Sequence, residues 1–392
     1  MRKVWLLALG SFTLGLDAYV MAGLLPVVAD DIGTTVSLAG QMVTVFTLAY
    51  AICAPLVAGL LRGGRPRLVL LVALAVFTAG NALTALAPSL GALLGARAVA
   101  GAGAGVYSAM STAAASALVP GERRGRALAV VMGGMSSGTV LGVPLGVLLA
   151  EHTGWRATMW LVTGLGAVSL TGLAVLLPAV PAAPAVSLRA RLGAVTDRAV
   201  APVVQVSFLA AVASLGLYTY LAPVLASAGG AHEVAPYLWV WGLGGVAGSL
   251  LIGRLVDAAE KAGRVAALVG VIMAVIAAAE AALPVLAPVP QLAAVALVVW
   301  GAAGWALQVP QQHRLLAVKE RGTVAPALNN SALYLGSAVG SALGGAALSA
   351  GLSGAVLPWA AAGVAALGLA RHMAAVRPRR AAGAHTGCTS RA

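Results

Sequence analysis

Charge is what this chain has least of. Asp, Glu, Lys and Arg make up 9% of its 392 residues, and the acids number only 11. A water-soluble protein of this length covers itself with about 25% charged residues, so a cytosolic or secreted globular protein is excluded. Cysteine is nearly absent. Cys53 lies in an apolar run and Cys388 in the polar C-terminal stretch, which excludes a disulfide framework and a cysteine metal site. Histidine is scarce and scattered: His152, His232, His313, His372 and His385 fall in separate connections and the tail. A polytopic membrane enzyme would gather His, Asp and Glu at one membrane face. No such cluster is present, so that reading is weak, and no cofactor and no metal are expected.

What fills the chain is apolar: 60% hydrophobic residues and a mean hydropathy of +0.97. That composition belongs to an integral membrane protein. The net charge of +13 does not point to nucleic acid, because the basic residues form no continuous patch. Met1-Arg2-Lys3 followed by apolar residues has the look of a signal peptide. The run continues to Val28, however, and ends in Asp30-Asp31 rather than at a small-residue cleavage site, so it reads as a retained first span.

A span needs about 20 mostly apolar residues to cross roughly 30 Å of hydrocarbon. Twelve runs qualify: Val4–Val28, Gly40–Leu61, Leu68–Ala87, Leu90–Leu118, Ala127–Ala150, Ala157–Leu177, Val200–Leu225, Val234–Val256, Val265–Leu286, Gln291–Leu316, Val324–Leu348 and Ala355–Ala370. The basic residues test this count. With the N-terminus cytoplasmic, alternate connections hold Arg2 and Lys3; Arg62, Arg65 and Arg67; Arg123, Arg124 and Arg126; Arg189, Arg191 and Arg198; Arg254, Lys261 and Arg264; Arg314, Lys319 and Arg321. The tail adds Arg371, Arg377, Arg379, Arg380 and Arg391, leaving only Arg97, inside a span, and Arg156, in an outside connection, of the 24 Lys and Arg. Positive charge gathers on the cytoplasmic side of membrane proteins. A wrong count would have scrambled this pattern, so both termini are expected in the cytoplasm.

The expected organisation is an all-α membrane protein of two six-helix bundles. Residues 1–178 and 200–372 form the bundles, 179–199 a cytoplasmic connection rich in Pro, Ala and Arg, and 373–392 a basic, disordered tail. The halves echo each other. Leu14-Gly15-Leu16-Asp17-Ala18-Tyr19 in the first span resembles Leu215-Gly216-Leu217-Tyr218-Thr219-Tyr220 in the seventh. Gly59-Leu60-Leu61 resembles Gly253-Arg254-Leu255. Gly138, Gly142 and Gly146 in the fifth span match Gly336, Gly340 and Gly344 in the eleventh. Ordered matches about half a chain apart indicate parallel repeats around a central cavity, the plan of a transporter. They disfavour a channel.

Three stretches carry a resemblance. "AGLLPVVADDI" with "LAGQMVTVFTLAYAICAPLVAGL" opens the chain, "LGARAVAGAGAG" lies in the fourth span and "GTVLGVPLG" in the fifth. Together they resemble the major facilitator superfamily, and within it the twelve-span drug/proton antiporters of the arabinose-efflux, purine-efflux and chloramphenicol-exporter group, over essentially the whole chain. Leu93, Arg97, Gly101 and Gly103 match the family's L-x-x-x-R-x-x-Q-G-x-G, with Ala100 in place of glutamine. Gly138, Gly142, Pro144 and Gly146 resemble the antiporter motif G-x-x-x-G-P-x-x-G, with Val143 intervening. The loop after the second span departs further: "GLLRGGRPR" has Gly63 where the family places an aspartate, whereas Asp257 keeps its acid in the second half. The resemblance implies secondary transport, commonly export driven by inward proton flow. The implied partners are a small-molecule substrate, protons and the lipid bilayer, and the working unit is expected to be a monomer. A proton-linked importer of a nutrient such as a sugar or nucleoside is the alternative, which the fifth-span motif disfavours.

Individual residues sharpen this. Asp17 stands near the middle of the first span, where an acid costs about 2.5–3.5 kcal/mol on insertion scales. It therefore faces protein or a wet cavity, with Gly10, Thr13, Met21 and Leu24 on its side. It reads as a proton-coupling or substrate-coupling group, or else as a structural hydrogen bond to a neighbouring helix. Arg97 keeps its charge and needs a partner within the bundle. It can pair with Asp17, orient substrate, or hold the fourth span to the first. Glu280 lies toward the outer end of the ninth span and reads first as a wetted interfacial acid, second as a proton site. The glycines around Pro144 suggest a hinge or seal between the halves. Tyr19, Tyr107, Tyr218, Tyr220, Trp305, Gln308, Asn329, Asn330 and Tyr334 are candidates for the cavity wall. Asp30, Asp31, Glu122 and Glu151 are expected to be solvated loop charges.

Overall fold

Backbone polar groups have no water to bond in a bilayer, so each crossing must satisfy its own hydrogen bonds as a helix. The chain follows that rule throughout. The computed structural model describes residues 2–60, 65–181, 193, 196–229, 234–318 and 324–376. Twelve helices among these are long and apolar enough to span. Gly63, the His232 loop, most of the central connection, Lys319, Arg321 and the tail beyond Val376 lie outside the described residues.

We number the crossings α1 (Arg2–Ile32), α2 (Gln41–Leu60), α3 (Pro66–Leu86), α4 (Leu90–Ala117), α5 (α5a Arg124–Ser137 and α5b Val143–Thr153), and α6 (Trp155–Leu176). The second half has α7 (α7a Ala201–Thr219 and α7b Leu221–Ser227), α8 (Ala235–Lys261), α9 (Val265–Leu286), α10 (α10a Pro290–Ala306 and α10b Gln308–Leu316), α11 (Val324–Ser349) and α12 (Leu357–Val376). Local signals set the ends. Ser89 caps α4 by accepting from the Ala92 N–H, and Pro66 and Pro290 begin α3 and α10, where a missing N–H does no harm. Gly154, at φ +88°, turns α5 directly into α6, a backbone conformation other residues rarely adopt.

Two expectations need correction here. α1 runs on to Ile32, so Asp30 and Asp31 are helical rather than in a loop. Asp31 is also paired: it accepts from the Trp155 indole at 3.0 Å and forms an ion pair with Arg156. α12 continues past Ala370, where the last apolar run ends, to Val376, and so takes in the first residues assigned to the tail, 373–376.

The repeat is visible in packing. α1 packs on α5 and α6, α2 on α4, α3 on α4 and α6; α7 packs on α11 and α12, α8 on α10, and α9 on α10 and α12. Each pair in the first half thus recurs six helices later. A Cβ on Gly138 would fall on the Phe12 carbonyl, and one on Gly336 on the Phe208 carbonyl, so these glycines let α5 and α11 touch the α1 and α7 backbones. This contact makes Phe12 and Phe208 equivalents, and the same step along each helix makes Ala213, the residue before Ser214, the counterpart of Asp17. The likeness of Leu14–Tyr19 to Leu215–Tyr220 is therefore out of register with the structural repeat. Large apolar side chains such as Val175, Leu250 and Val285 stand exposed on the outside of the bundle, the surface that lipid covers.

The halves close on each other at the end opposite the termini. α5b meets α8, α1 meets α7b, and the Thr35–Gly40 turn before α2 meets α11. Two hydrogen bonds cross there, from Ser341 Oγ to the Gly40 carbonyl (3.2 Å) and from Ser349 Oγ to Ser37 Oγ (2.9 Å).

Candidate functional site

Asp17 is fully buried, and three helices converge on it. Arg97 of α4 places Nη1 2.6 Å from Asp17 Oδ1. The same nitrogen lies 3.3 Å from Asn81 Oδ1, and the Asn81 amide donates to Asp17 Oδ2 at 3.4 Å and to the Phe77 carbonyl at 3.1 Å. The guanidinium carbon sits 4.2 Å above the Phe46 ring of α2, a favourable placement for a cation. Of the alternatives open for Arg97, pairing with Asp17 is the one the structure adopts. Asn81 was not singled out from sequence. Its signal was a lone amide in the apolar run "FTAGNALTAL". Gly80 explains its approach: a Cβ there would lie 2.5 Å from the Ala100 nitrogen, so α3 and α4 touch here.

One residue beyond Asp17 the chain meets open space. Ala18, Tyr19 and Ala22 of α1, Val43 and Thr47 of α2, Leu215, Tyr218 and Thr219 of α7, and Tyr334 and Ser337 of α11 line a narrow cleft between the halves, with room for about one water. No formal charge stands on this wall. Tyr19 meets Tyr218 edge-on at 5.7 Å, Tyr218 lies 4.4 Å from Trp241, and Tyr50 stacks on Tyr334 at 3.5 Å across the halves. Of the cavity candidates, Tyr19, Tyr218 and Tyr334 are on the wall. Trp305 stands behind it, 6.0 Å from Trp241 and against Gly245. Tyr107 is buried in the seam with α1 and donates to the Leu7 carbonyl, while Tyr220 donates to the Ser341 carbonyl near the closed end. Gln308 begins α10b, and Asn329 is buried on α11 with neither amide atom partnered. Neither they nor Asn330 line the cavity.

Glu280 departs from expectation. It is not a wetted interfacial acid but fully buried, because α9 turns that face toward α7 and α10. Its Oε1 accepts from Ser214 Oγ at 3.0 Å, the Trp300 indole donates to the same Ser214 oxygen, and Oε2 has no partner.

The glycine motif of α5 also lies differently from the expected seal between halves. Gly138, Gly142 and Gly146 face Phe12, Leu16 and Val20 of α1, in their own half. The contact with the other half is made beside them, where Val140 meets Gly242 of α8 at an approach of 3.5 Å for an added Cβ. Between α5a and α5b, Gly138–Gly142 forms a π turn in which the Val143 N–H reaches back to the Gly138 carbonyl. Pro144 has no N–H for the Val140 carbonyl, so the ladder slips here. The glycines keep the motif's four-residue spacing, Gly138, Gly142 and Gly146, while the proline stands one position later than in the motif, and all three glycines stay on the α1 face.

The model of the Major Facilitator Superfamily matches residues 7–324. The chain is 32% identical over 366 residues to the inner membrane transport protein YdhP of Escherichia coli (strain K12), covering 93% of each. It is 33% identical over 344 residues to a chloramphenicol resistance protein of Streptomyces lividans, covering 86% of each. Among solved structures, the xylose transporter XylE from E. coli in a partially occluded inward open conformation shares the fold. Its TM-score is 0.72 at 17% identity, over 96% of this chain and 99% of that one.

Proposed function

The chain belongs to the Major Facilitator Superfamily and is a secondary transporter, and from that premise we propose that it exports a small amphipathic molecule from the cytoplasm in exchange for protons. The observation that carries this reading is the buried Asp17–Arg97 pair, one residue from the wall of a cavity between the halves. The Streptomyces relative's name, a chloramphenicol resistance protein, supports export.

The site suggests how the exchange works. Asp17 and Arg97 neutralise one another where neither meets water. A proton reaching Asp17 ends the pairing and leaves the Arg97 charge with only the Asn81 oxygen and the Phe46 ring. Losing one partner of a buried ion pair costs about 3–5 kcal/mol, enough to favour a different packing of α1 against α4. Tyr19 and Ala22 lie on the same helix as Asp17, so a shift of α1 changes the cavity wall directly. Substrate and proton thus compete through one helix. With one charge moving inward, 100 mV supplies about 2.3 kcal/mol, or roughly a fifty-fold substrate gradient.

Cytoplasmic termini, favoured by the segregation of Lys and Arg, make the closed end extracellular and this conformation inward-facing. The uncharged, aromatic wall favours a neutral substrate bearing a ring and a few hydroxyl or amide groups. The test is accumulation of a panel of antibiotics, nucleosides and sugars in expressing cells, with and without an uncoupler. Export predicts lower accumulation of at least one compound, reversed by the uncoupler. Uptake raised by expression and abolished by the uncoupler would replace export with import.

A further inference from the structure

The Glu280 cluster has the same place in the second half as the Asp17 cluster has in the first. Asp17, Asn81 and Arg97 come from α1, α3 and α4; Ser214, Glu280 and Trp300 come from α7, α9 and α10, the helices related by the repeat. Asn81 and Glu280 even share their distance from the start of their helices, α3 at Pro66 and α9 at Val265. We infer that Glu280 is a second proton-binding site of the transporter, built on the Ser214–Trp300 hydrogen-bond chain and loaded with a proton in this conformation. The inference deepens the antiport reading and rests on it for its role in transport.

Hydrogen-bond direction fixes the chemistry. An indole N–H can only donate, so the Ser214 oxygen is an acceptor toward Trp300 and its hydroxyl proton is free to be donated to Glu280 Oε1. Glu280 therefore receives one neutral hydrogen bond, and Oε2 receives none. A carboxylate this dry needs a cation beside it, since an uncompensated buried charge costs several kcal/mol. None of the ion pairs among the described residues involves Glu280.

The neighbours of α9 bear this out. α10a has no titratable side chain, and Tyr218 is the only one on α7a. On α12, Arg371 and His372 lie at the opposite end, where His372 bonds to the Ala266 carbonyl, about 21 Å along the helix axis from Glu280. His313 and Arg314 of α10b and Arg254, Asp257, Glu260 and Lys261 of α8 belong to that same end, and Tyr237 begins α8 on the far side. No described group of three or more His, Cys, Asp and Glu residues could hold a metal, and Glu280 is absent from the cavity wall. A proton is the cation that fits. Its arrival is also felt at the substrate, because Trp300 packs edge-on against Trp241 at 5.9 Å and Trp241 lies against Tyr218 on the cavity wall.

The probe for this site is the proton itself. The purified full-length protein is titrated with base in detergent, following the infrared carbonyl stretch of protonated carboxyl groups and the tryptophan fluorescence. Wild type should show a protonated-carboxyl band at neutral pH that disappears on alkalinisation together with a step in fluorescence. Glu280→Gln should lose both signals, Trp300→Phe should lose the fluorescence step only, and Asp17→Asn should keep both. Should Glu280→Gln fold poorly, Ser214→Ala serves instead: removing the donor to Oε1 should move the band to higher frequency. A band and step unchanged in Glu280→Gln, or unmoved in Ser214→Ala, would overturn the assignment. Loss of uncoupler-sensitive export with the band intact would sink antiport alone, so the two ideas fail separately.

Discussion

Each half of this transporter buries one acid where its first, third and fourth helices meet, and the two halves surround that acid differently. In the first half Asp17 faces a guanidinium 2.6 Å away and an amide. In the second, Glu280 faces a hydroxyl that is itself held by an indole, and no cation. The first arrangement is neutral only while both charges stay together. The second is neutral only while the acid holds its proton. A repeat that keeps backbone packing, down to the glycines on the Phe12 and Phe208 carbonyls, has thus been given two different electrostatic solutions. The lesson is that the fold prescribes where a polar cluster can sit, while three side chains decide what it does.

The harshest way to break the comparison is to remove the cation from the first cluster. Arg97→Ala strips Asp17 of its cation, so the acid must stay charged in a dry site or take up a proton, and should cost about 3–5 kcal/mol, read as a large fall in thermal stability in detergent and loss of transport. The double variant Asp17→Asn with Arg97→Gln should recover most of the stability and none of the coupling. The equivalent change in the second cluster, Trp300→Phe, should be far milder, because no charge is stranded.

Next come the glycines. Gly138→Ala drives a methyl into the Phe12 backbone and should destabilise by about 1–3 kcal/mol. Gly142→Ala meets the Leu16 side chain at 3.1 Å rather than a backbone carbonyl, and should cost less. Equal melting temperatures for these two would show that the α1–α5 contact is looser than described. Ser214→Ala removes two hydrogen bonds, the one donated to Glu280 and the one accepted from Trp300, each worth about 1 kcal/mol, and should leave folding and export measurable.

Much of this was legible in the sequence, for identifiable reasons. Long apolar runs and segregated basic residues mark twelve crossings because the bilayer punishes both errors of length and misplaced charge. Asp17 and Arg97 stand out because charges inside spans are rare, and their pairing was among the readings open for Arg97. The rest was hidden by the same apolar monotony. α9 is hydrophobic on all sides, so nothing in its periodicity tells that Glu280 faces inward rather than toward an interface. Asn81, Ser214 and Trp300 are ordinary membrane residues until the partners on other helices are seen. The displaced Pro144 reads as a broken motif in one dimension and lies at the end of a π turn in three. The likeness of Leu14–Tyr19 to Leu215–Tyr220 misled by its composition, since leucine and glycine recur everywhere in this chain.

The central claim, that Asp17 carries the coupled proton, is tested most directly with purified protein in liposomes. An exported compound from the panel is supplied, a proton gradient imposed, and uphill accumulation compared between wild type and Asp17→Asn, with downhill exchange measured in parallel. The account predicts that Asp17→Asn exchanges substrate downhill but accumulates none against a gradient. A variant that builds the wild-type gradient would contradict it and move the coupling elsewhere.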